Sequence, residues 1–208
     1  MKKFIILILL LGSTYNAISE INEKNEIESF SSIDAKFGLA SIVNESQNFL
    51  NRGFSVTASY SYINEYFMIS GQIGLMYFSG RDNSGFRDGL EYNTMAYNTN
   101  LGIYYKFIDN YNFDLITPYA GIELGYIVAN FEKPGNDVTF LLPTIDENFF
   151  TISPIIGVSF PMNYSLASYF ELRYMYVPKD FGEIRDVNAN FPRHFNIVNI
   201  TAGLRFAI

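Results

Sequence analysis

The sequence predicts an all-β protein, an eight-stranded antiparallel up-and-down barrel that crosses a membrane. Three observations point there. From residue 33 almost to the end, apolar and polar residues alternate with a period of two. The charges inside the alternating segments all fall on one face, and short connections between segments take turns with longer ones.

The chain opens Met1-Lys2-Lys3, continues with an apolar run over residues 4–11, and then turns small and polar. A basic start, a short apolar run and a small-residue exit are the parts of a secretory signal peptide. The run is far short of the ~20 residues that a membrane helix needs. Cleavage after Ser19, with Ala17 three positions before the cut, fits best, so residues 1–19 are expected to be removed. Residues 20–31 read as a short polar lead-in and residues 32–208 as the barrel. Hydrophobic residues make up 49% and charged residues 17% of the sequence, so the chain either buries a large core or faces lipid. It has no cysteine, so disulfides cannot staple it. Its formal charge of −7, more negative once Lys2 and Lys3 leave, argues against a nucleic-acid partner.

The first predicted strand, 33–43, sets Ile33, Ala35, Phe37, Leu39 and Val43 against Asp34, Lys36, Gly38 and Ala40. The second, 53–62, sets Phe54, Val56, Ala58, Tyr60 and Tyr62 against Ser55, Thr57, Ser59 and Ser61. In the third, 66–78, Phe67, Ile69, Ile73, Leu75 and Tyr77 oppose Ser70, Gln72 and Gly74. In the fourth, 93–107, Met95, Tyr97, Leu101, Ile103, Tyr105 and Phe107 oppose Asn98, Asn100, Gly102 and Lys106. The fifth, 117–129, sets Ala120, Ile122, Leu124, Tyr126 and Val128 against Tyr119, Gly121, Glu123 and Gly125. The sixth, 149–160, sets Phe150, Ile152, Ile156, Val158 and Phe160 against Thr151, Ser153, Gly157 and Ser159. The seventh, 165–177, sets Leu166, Phe170, Leu172, Tyr174 and Tyr176 against Ser165, Glu171 and Arg173. The last, 196–208, sets Val198, Ile200, Ala202, Leu204, Phe206 and Ile208 against Asn199, Thr201, Gly203 and Arg205.

Each segment reaches the about 9–11 residues of a tilted transmembrane strand. The apolar face is bulky and free of charge, which suits lipid. The other face is rich in Gly, Ser and Thr, which suits the narrow interior of a small barrel. The connections at 63–65, 108–116 and 161–164 take turns with generally longer ones at 44–52, 79–92, 130–148 and 178–195, the middle turn, 108–116, being longer than usual. That rhythm matches periplasmic turns and outer loops. A spanning sheet must also close on itself, because an open edge in lipid leaves backbone groups unsatisfied.

The segments TPYAGIELGY (117–126), ISPIIGVSF (152–160), YFELRYMYV (169–177) and ITAGLRFAI (200–208) resemble the small OmpA/OmpX-like, opacity-type and porin-like outer-membrane barrels. The resemblance covers essentially the whole mature chain. It implies insertion into the outer membrane, with its lipid as one partner and the assembly machinery, reading the C-terminal strand, as another. It also implies exposed loops available for adhesion or other surface contacts. One departure is the final residue, Ile208 where such strands usually end in Phe, with Phe206 two positions earlier. The superfamily includes adhesins, structural anchors and a few lipid-modifying enzymes, so fold does not fix function.

The residues offer little chemistry. The one histidine, His194, lies in the last long connection, and Ser159 and Ser168 on neighbouring strands have no base beside them. The acids Asp137, Asp146, Glu147, Glu183 and Asp186 lack the spacing of a calcium loop. No Gly-rich phosphate loop precedes a helical pattern. We therefore expect no enzyme, no cofactor and no metal, and a structural or adhesive surface barrel. A narrow channel and a lipid-modifying barrel enzyme are the alternatives. Contact candidates at the loops are Phe86, Arg87, Phe140, Leu141, Phe181 and Arg185, aromatic and apolar residues set among charges.

The inward face carries Asp34, Lys36, Lys106, Glu123, Glu171, Arg173 and Arg205. Two clusters are expected: Asp34 with Arg205 near the periplasmic end, alongside Lys36 and Lys106, and Arg173 with Glu123 and Glu171 above. On that reading, removing Arg173 alone destabilises more than removing it with both glutamates. Inward changes such as Gly125→Ser matter less than Leu124→Arg on the lipid face.

Overall fold

The computed structural model describes residues 29–43, 50–80, 93–107, 116–132, 145–163, 165–178 and 196–208. The predicted signal segment and most of the long connections lie outside them. Eight strands follow in chain order: β1 (Ser29–Val43), β2 (Leu50–Asn64), β3 (Phe67–Gly80), β4 (Asn93–Lys106), β5 (Thr117–Glu132), β6 (Ile145–Asn163), β7 (Leu166–Met175) and β8 (Asn196–Ala207). Each pairs antiparallel with its neighbours in sequence, and β8 returns to pair with β1, so the sheet closes into a barrel. No helix among the described residues is long and apolar enough to cross a membrane; strands do the crossing here.

The period of two produces the two faces seen. Along β1 the side chains of Ser32, Asp34, Lys36, Ala40 and Ile42 are buried in the lumen, while Ile33, Ala35, Phe37 and Leu39 point out. The same parity holds along β4, where Leu101 is 71% exposed on the outside and Asn100 on the inside only 3%. Exposed bulky residues on every strand make an apolar belt that water could not wet without a large penalty, so the belt belongs in lipid. Aromatics are frequent towards its two rims, with Phe37 and Phe170 standing nearer the middle, level with Ala202. Tyr60, Tyr62, Phe67, Tyr105, Phe107 and Phe206 form the lower rim, and Phe54, Tyr97, Tyr126, Phe150, Tyr174 and Tyr176 the upper. Aliphatic Leu39, Val56, Ile73, Leu101, Leu124, Ile156 and Ile200 fill the middle. From Tyr97 down to Tyr105 the chain advances at ~3.3 Å per residue with a ~40° tilt, which places the rims roughly 20 Å apart.

Two of the short turns use asparagine. The Asn64 side-chain oxygen accepts from the backbone N–H of Tyr66 (3.1 Å) and Phe67 (2.7 Å), and Asn163 accepts from Ser165 N–H (3.0 Å). These Asx contacts stand in for missing ladder bonds where the chain reverses.

Several strand bounds differ from those the alternation predicts. β1 begins at Ser29, inside the stretch read as lead-in, because Ser29–Ser32 pair with Asn64–Ser61 of β2. The barrel therefore starts before residue 32. β2 reaches up to Leu50 through an irregularity between Leu50 and Gly53. The β5–β6 ladder extends to Phe131↔Ile145, shortening the predicted connection of 130–148 to 133–144. Backbone pairing needs no apolar alternation, so it outlasts the pattern once the strands rise past the belt.

The lumen is not polar throughout. At the loop end, Ile42, Met76, Phe78, Ile127, Phe149, Met175, Val177 and Ile197 point inward and form one buried apolar cluster with Ala40, Ala96 and Ala129. Near the turns, Ile63, Met68, Tyr104, Tyr119 and Ile155 form a smaller one. The polar, charged layer lies between these ends.

Candidate functional site

That layer is the most densely functionalised part of the described structure. Asp34 and Arg205 face each other in register across the β1–β8 closure. Arg205 donates from Nε to Asp34 Oδ1 and from Nη2 to Oδ2, both at 3.0 Å, and both side chains are buried. Ser32 donates to Oδ1 at 3.1 Å, and Ser59 and Ser61 to Oδ2 at 3.4 Å, which satisfies the carboxylate from several sides.

Higher in the lumen, Arg173 Nη2 donates to Glu171 Oε1 (3.0 Å), Glu123 Oε1 (3.1 Å) and Gln72 Oε1 (2.8 Å). Lys36 Nζ lies 3.1 Å from both oxygens of Glu171 and 3.4 Å from Gln72 Oε1. Gln72 Nε2 and Tyr104 OH both donate to Glu123 Oε1, and Tyr119 OH donates to Glu171 Oε2 at 3.1 Å. Two cations and two carboxylates thus balance in a space from which bulk water is excluded.

Lys36 departs from the sequence expectation. It stands on β1 two residues from Asp34, yet its long stem carries the ammonium up to Glu171, so it belongs to the upper cluster. Lys106 serves the turn end, where Nζ donates to the Asn64 carbonyl at 3.0 Å. Between the two ionic groups lies the Tyr169 ring, with Lys36 Nζ 5.6 Å from its centroid and the Arg205 guanidinium carbon 5.0 Å away. One aromatic ring therefore faces both cations.

The alternation gave no role to Gln72, Tyr104, Tyr119 or Tyr169. A signal was present for the tyrosines. Each sits directly across from an inward glycine of the next strand: Tyr104↔Gly121, Tyr119↔Gly157 and Tyr169↔Gly203. A Cβ at Gly157 would stand 2.4 Å from Tyr119 Cζ, and one at Gly203 2.7 Å from Tyr169 Cζ. The glycines make room for specific rings. Gly125 likewise holds space, since a Cβ there would lie 1.9 Å from Asn100 Oδ1 and 2.6 Å from Thr151 Oγ1. Gly125→Ser is therefore not the mild change that the face pattern predicts.

Both carboxylates of the upper cluster and Asp34 are engaged by cations or hydrogen-bond donors, which leaves them poorly placed to act as general bases. Ser159 points inward and Ser168 outward, on opposite faces of the wall, so the two do not converge. Among the described residues no group of three or more His, Cys, Asp or Glu side chains is arranged to hold a metal ion. The loop candidates Phe86, Arg87, Phe140, Leu141, Phe181 and Arg185, the acids Asp137, Glu183 and Asp186, and His194 lie outside the described residues. Asp146 and Glu147 stand on β6, but their side chains are likewise outside the description.

No protein-family model matches the sequence, and no curated protein matches it. Solved structures do match its fold. Neisserial surface protein A aligns over 86% of this chain and 97% of its own, with a TM-score of 0.59 at 16% identity. The outer membrane protein OprG of Pseudomonas aeruginosa aligns over 87% and 97%, with a TM-score of 0.58 at 8% identity. A major outer membrane protein of Thermus thermophilus aligns over 86% and 99%, with a TM-score of 0.53 at 13% identity. The chain has the fold of the small eight-stranded outer-membrane β-barrels.

Proposed function

We propose that this protein is an exported outer-membrane barrel whose work is done by its outer loops, in a structural or adhesive role at the cell surface. The carrying observation is how little the rest of the molecule offers. The exterior is an apolar belt, and the lumen holds a charge-balanced, hydrogen-bonded layer beneath a buried apolar one. A filled interior of this kind opposes the narrow channel, because ions would have to break the network and cross a dry layer. The absence of a nucleophile–base pair among the described residues opposes the lipid-modifying enzyme. The likeness to Neisserial surface protein A supports surface placement, and the apolar start of the chain supports export with removal of residues 1–19.

Single-cysteine labelling tests the topology cleanly, since the sequence has no cysteine of its own. Arg87→Cys and Arg185→Cys should react with an impermeant maleimide on intact cells. Glu65→Cys and Ser165→Cys, at the short turns, should react only after the outer membrane is permeabilised. The reverse pattern would overturn the assignment of loops and turns. Cells carrying the barrel with residues 81–92 and 179–195 shortened should lose attachment to host cells or extracellular matrix if the role is adhesive, and retain envelope integrity. Lipid turnover by the purified protein would instead favour the enzyme.

A further inference from the structure

The upper ionic layer sets an amine against an amide. Lys36 on β1 and Gln72 on β3 have the whole of β2 between them, yet Lys36 Nζ stands 3.4 Å from Gln72 Oε1. Both side chains are buried. Every polar atom of the amide has a partner suited to acyl transfer. Arg173 Nη2 donates to Oε1 at 2.8 Å, where a guanidinium polarises the carbonyl and stabilises negative charge developing on that oxygen. Gln72 Nε2 lies 2.7 Å from Tyr104 OH and also contacts Glu123 Oε1. The amine is held by Glu171, whose two oxygens both lie 3.1 Å from Nζ. Glu171 is too engaged to serve an outside substrate. Towards Lys36, the cation that engages it, it is the proton acceptor.

We propose that Lys36 and Gln72 join in an isopeptide bond that the folded barrel forms on itself. Lys36 Nζ passes one proton to Glu171 and attacks Gln72 Cδ, and the negative charge moves to Oε1 beside Arg173 Nη2. A second proton moves from Nζ to Nε2, both then on one carbon. The Cδ–Nε2 bond breaks, ammonia leaves, and Nζ keeps its last proton as the new amide N–H. One ammonium, one carboxylate and one primary amide thus give one secondary amide, one carboxylic acid on Glu171 and one ammonia. Net charge is unchanged and the step consumes nothing from outside. Gln72 is the acceptor rather than Glu171, because a carboxylate is a poor electrophile and both its oxygens hold the amine. These groups are buried beyond the reach of a lipid, so they meet only each other, and fixed proximity replaces a collision between two weakly reactive groups. The bond spans a separation of 36 residues and restricts the unfolded chain as a disulfide does, in a sequence that has no cysteine. The ionic cluster described above is the state before reaction.

Peptide mapping by mass spectrometry, on the full chain extracted folded from outer membranes, tests this. Digestion should release one branched peptide joining the segments that hold Lys36 and Gln72, lighter than their sum by one ammonia, about 17 Da. Lys36→Arg and Gln72→Met should each abolish it, and Glu171→Gln should slow its formation by about 100-fold. The wild type alone decides the matter where a variant fails to fold. Separate linear peptides with Lys36 and Gln72 intact, from a barrel whose insertion is verified by its gel mobility before boiling, overturn the proposal. So does an ammonia loss confined to one linear peptide, which marks ring closure at an asparagine. A link between Lys36 and Glu171 with loss of water overturns it as well.

Discussion

Arg205 and Asp34 are in-register partners on the last and first strands, joined by two 3.0 Å hydrogen bonds at the seam where the barrel closes. The sequence separation across this seam is nearly the whole domain, so the pairing helps fix the closing register. Asp34→Ala strands a buried guanidinium and should cost about 3–5 kcal/mol. Replacing both partners together, Asp34→Leu with Arg205→Met, should recover much of that loss. Urea titrations in lipid vesicles measure both. Equal losses for the single and double variants would show that the pair matters only through packing.

Arg173 anchors the upper cluster, and its removal should be worse than a compensated removal. Arg173→Met leaves Glu123 with no cation within salt-bridge range among the described residues and should destabilise by roughly 3 kcal/mol. Arg173→Met with Glu123→Gln should cost less, because Lys36 and Glu171 remain paired at 3.1 Å. Removing both glutamates with Arg173, which the sequence reading expects to cost less than removing Arg173 alone, also strands Lys36. Vesicle unfolding midpoints give the order, and a double variant worse than the single would contradict it.

Pro154 interrupts the wall between β6 and β7. The continuous pairing ends at Ile155↔Arg173 and reappears only as the bridge Ile152↔Tyr176, whose two hydrogen bonds are 2.9 and 3.0 Å. The intervening N–H that would reach the Tyr174 carbonyl is the one that proline lacks. Pro154→Val should add that bond and raise stability by about 0.5–1.5 kcal/mol. It should also slow amide exchange at Tyr174 and Tyr176. Unchanged exchange there would show that the seam is not set by the proline.

The lipid face has its own test. Leu124 points outward at mid-belt, and Leu124→Arg should cost about 2–4 kcal/mol in vesicles. Ala58→Ser, also outward but short and neutral, should change stability by less than about 1 kcal/mol. If Leu124→Arg were tolerated in vesicles while inward Ser55→Arg was also tolerated, the assignment of faces would fail.

Strand count, order, closure and inward parity were all legible, because a period of two leaves no ambiguity about which residues share a face. Strand ends were less so. The sequence alternation fades over residues 130–132 and 145–148, while the backbone pairing of β5 with β6 runs on to Phe131↔Ile145. Within the lumen, parity placed Glu123, Glu171 and Arg173 together but misplaced Lys36, because its flexible stem spans more than one level of the barrel. The interior tyrosines were hidden for the opposite reason. Parity puts Tyr104 and Tyr169 on the inward face, but which space each ring fills shows only when it is matched with the glycine across from it, and that match needs the register. The apolar layer of Met76, Phe78, Ile127 and Phe149 was masked in the same way, since it falls on the face that lower down is polar.

Single-molecule conductance in planar bilayers shows whether the lumen is closed. A lumen filled by the Lys36–Glu171–Arg173–Glu123 cluster and capped by an apolar layer should pass no current above the bare-membrane baseline at any moderate potential. The inserted protein should be verified by its shifted gel mobility before boiling. Reproducible unitary steps from that verified barrel, abolished when the protein is withheld, would contradict the account.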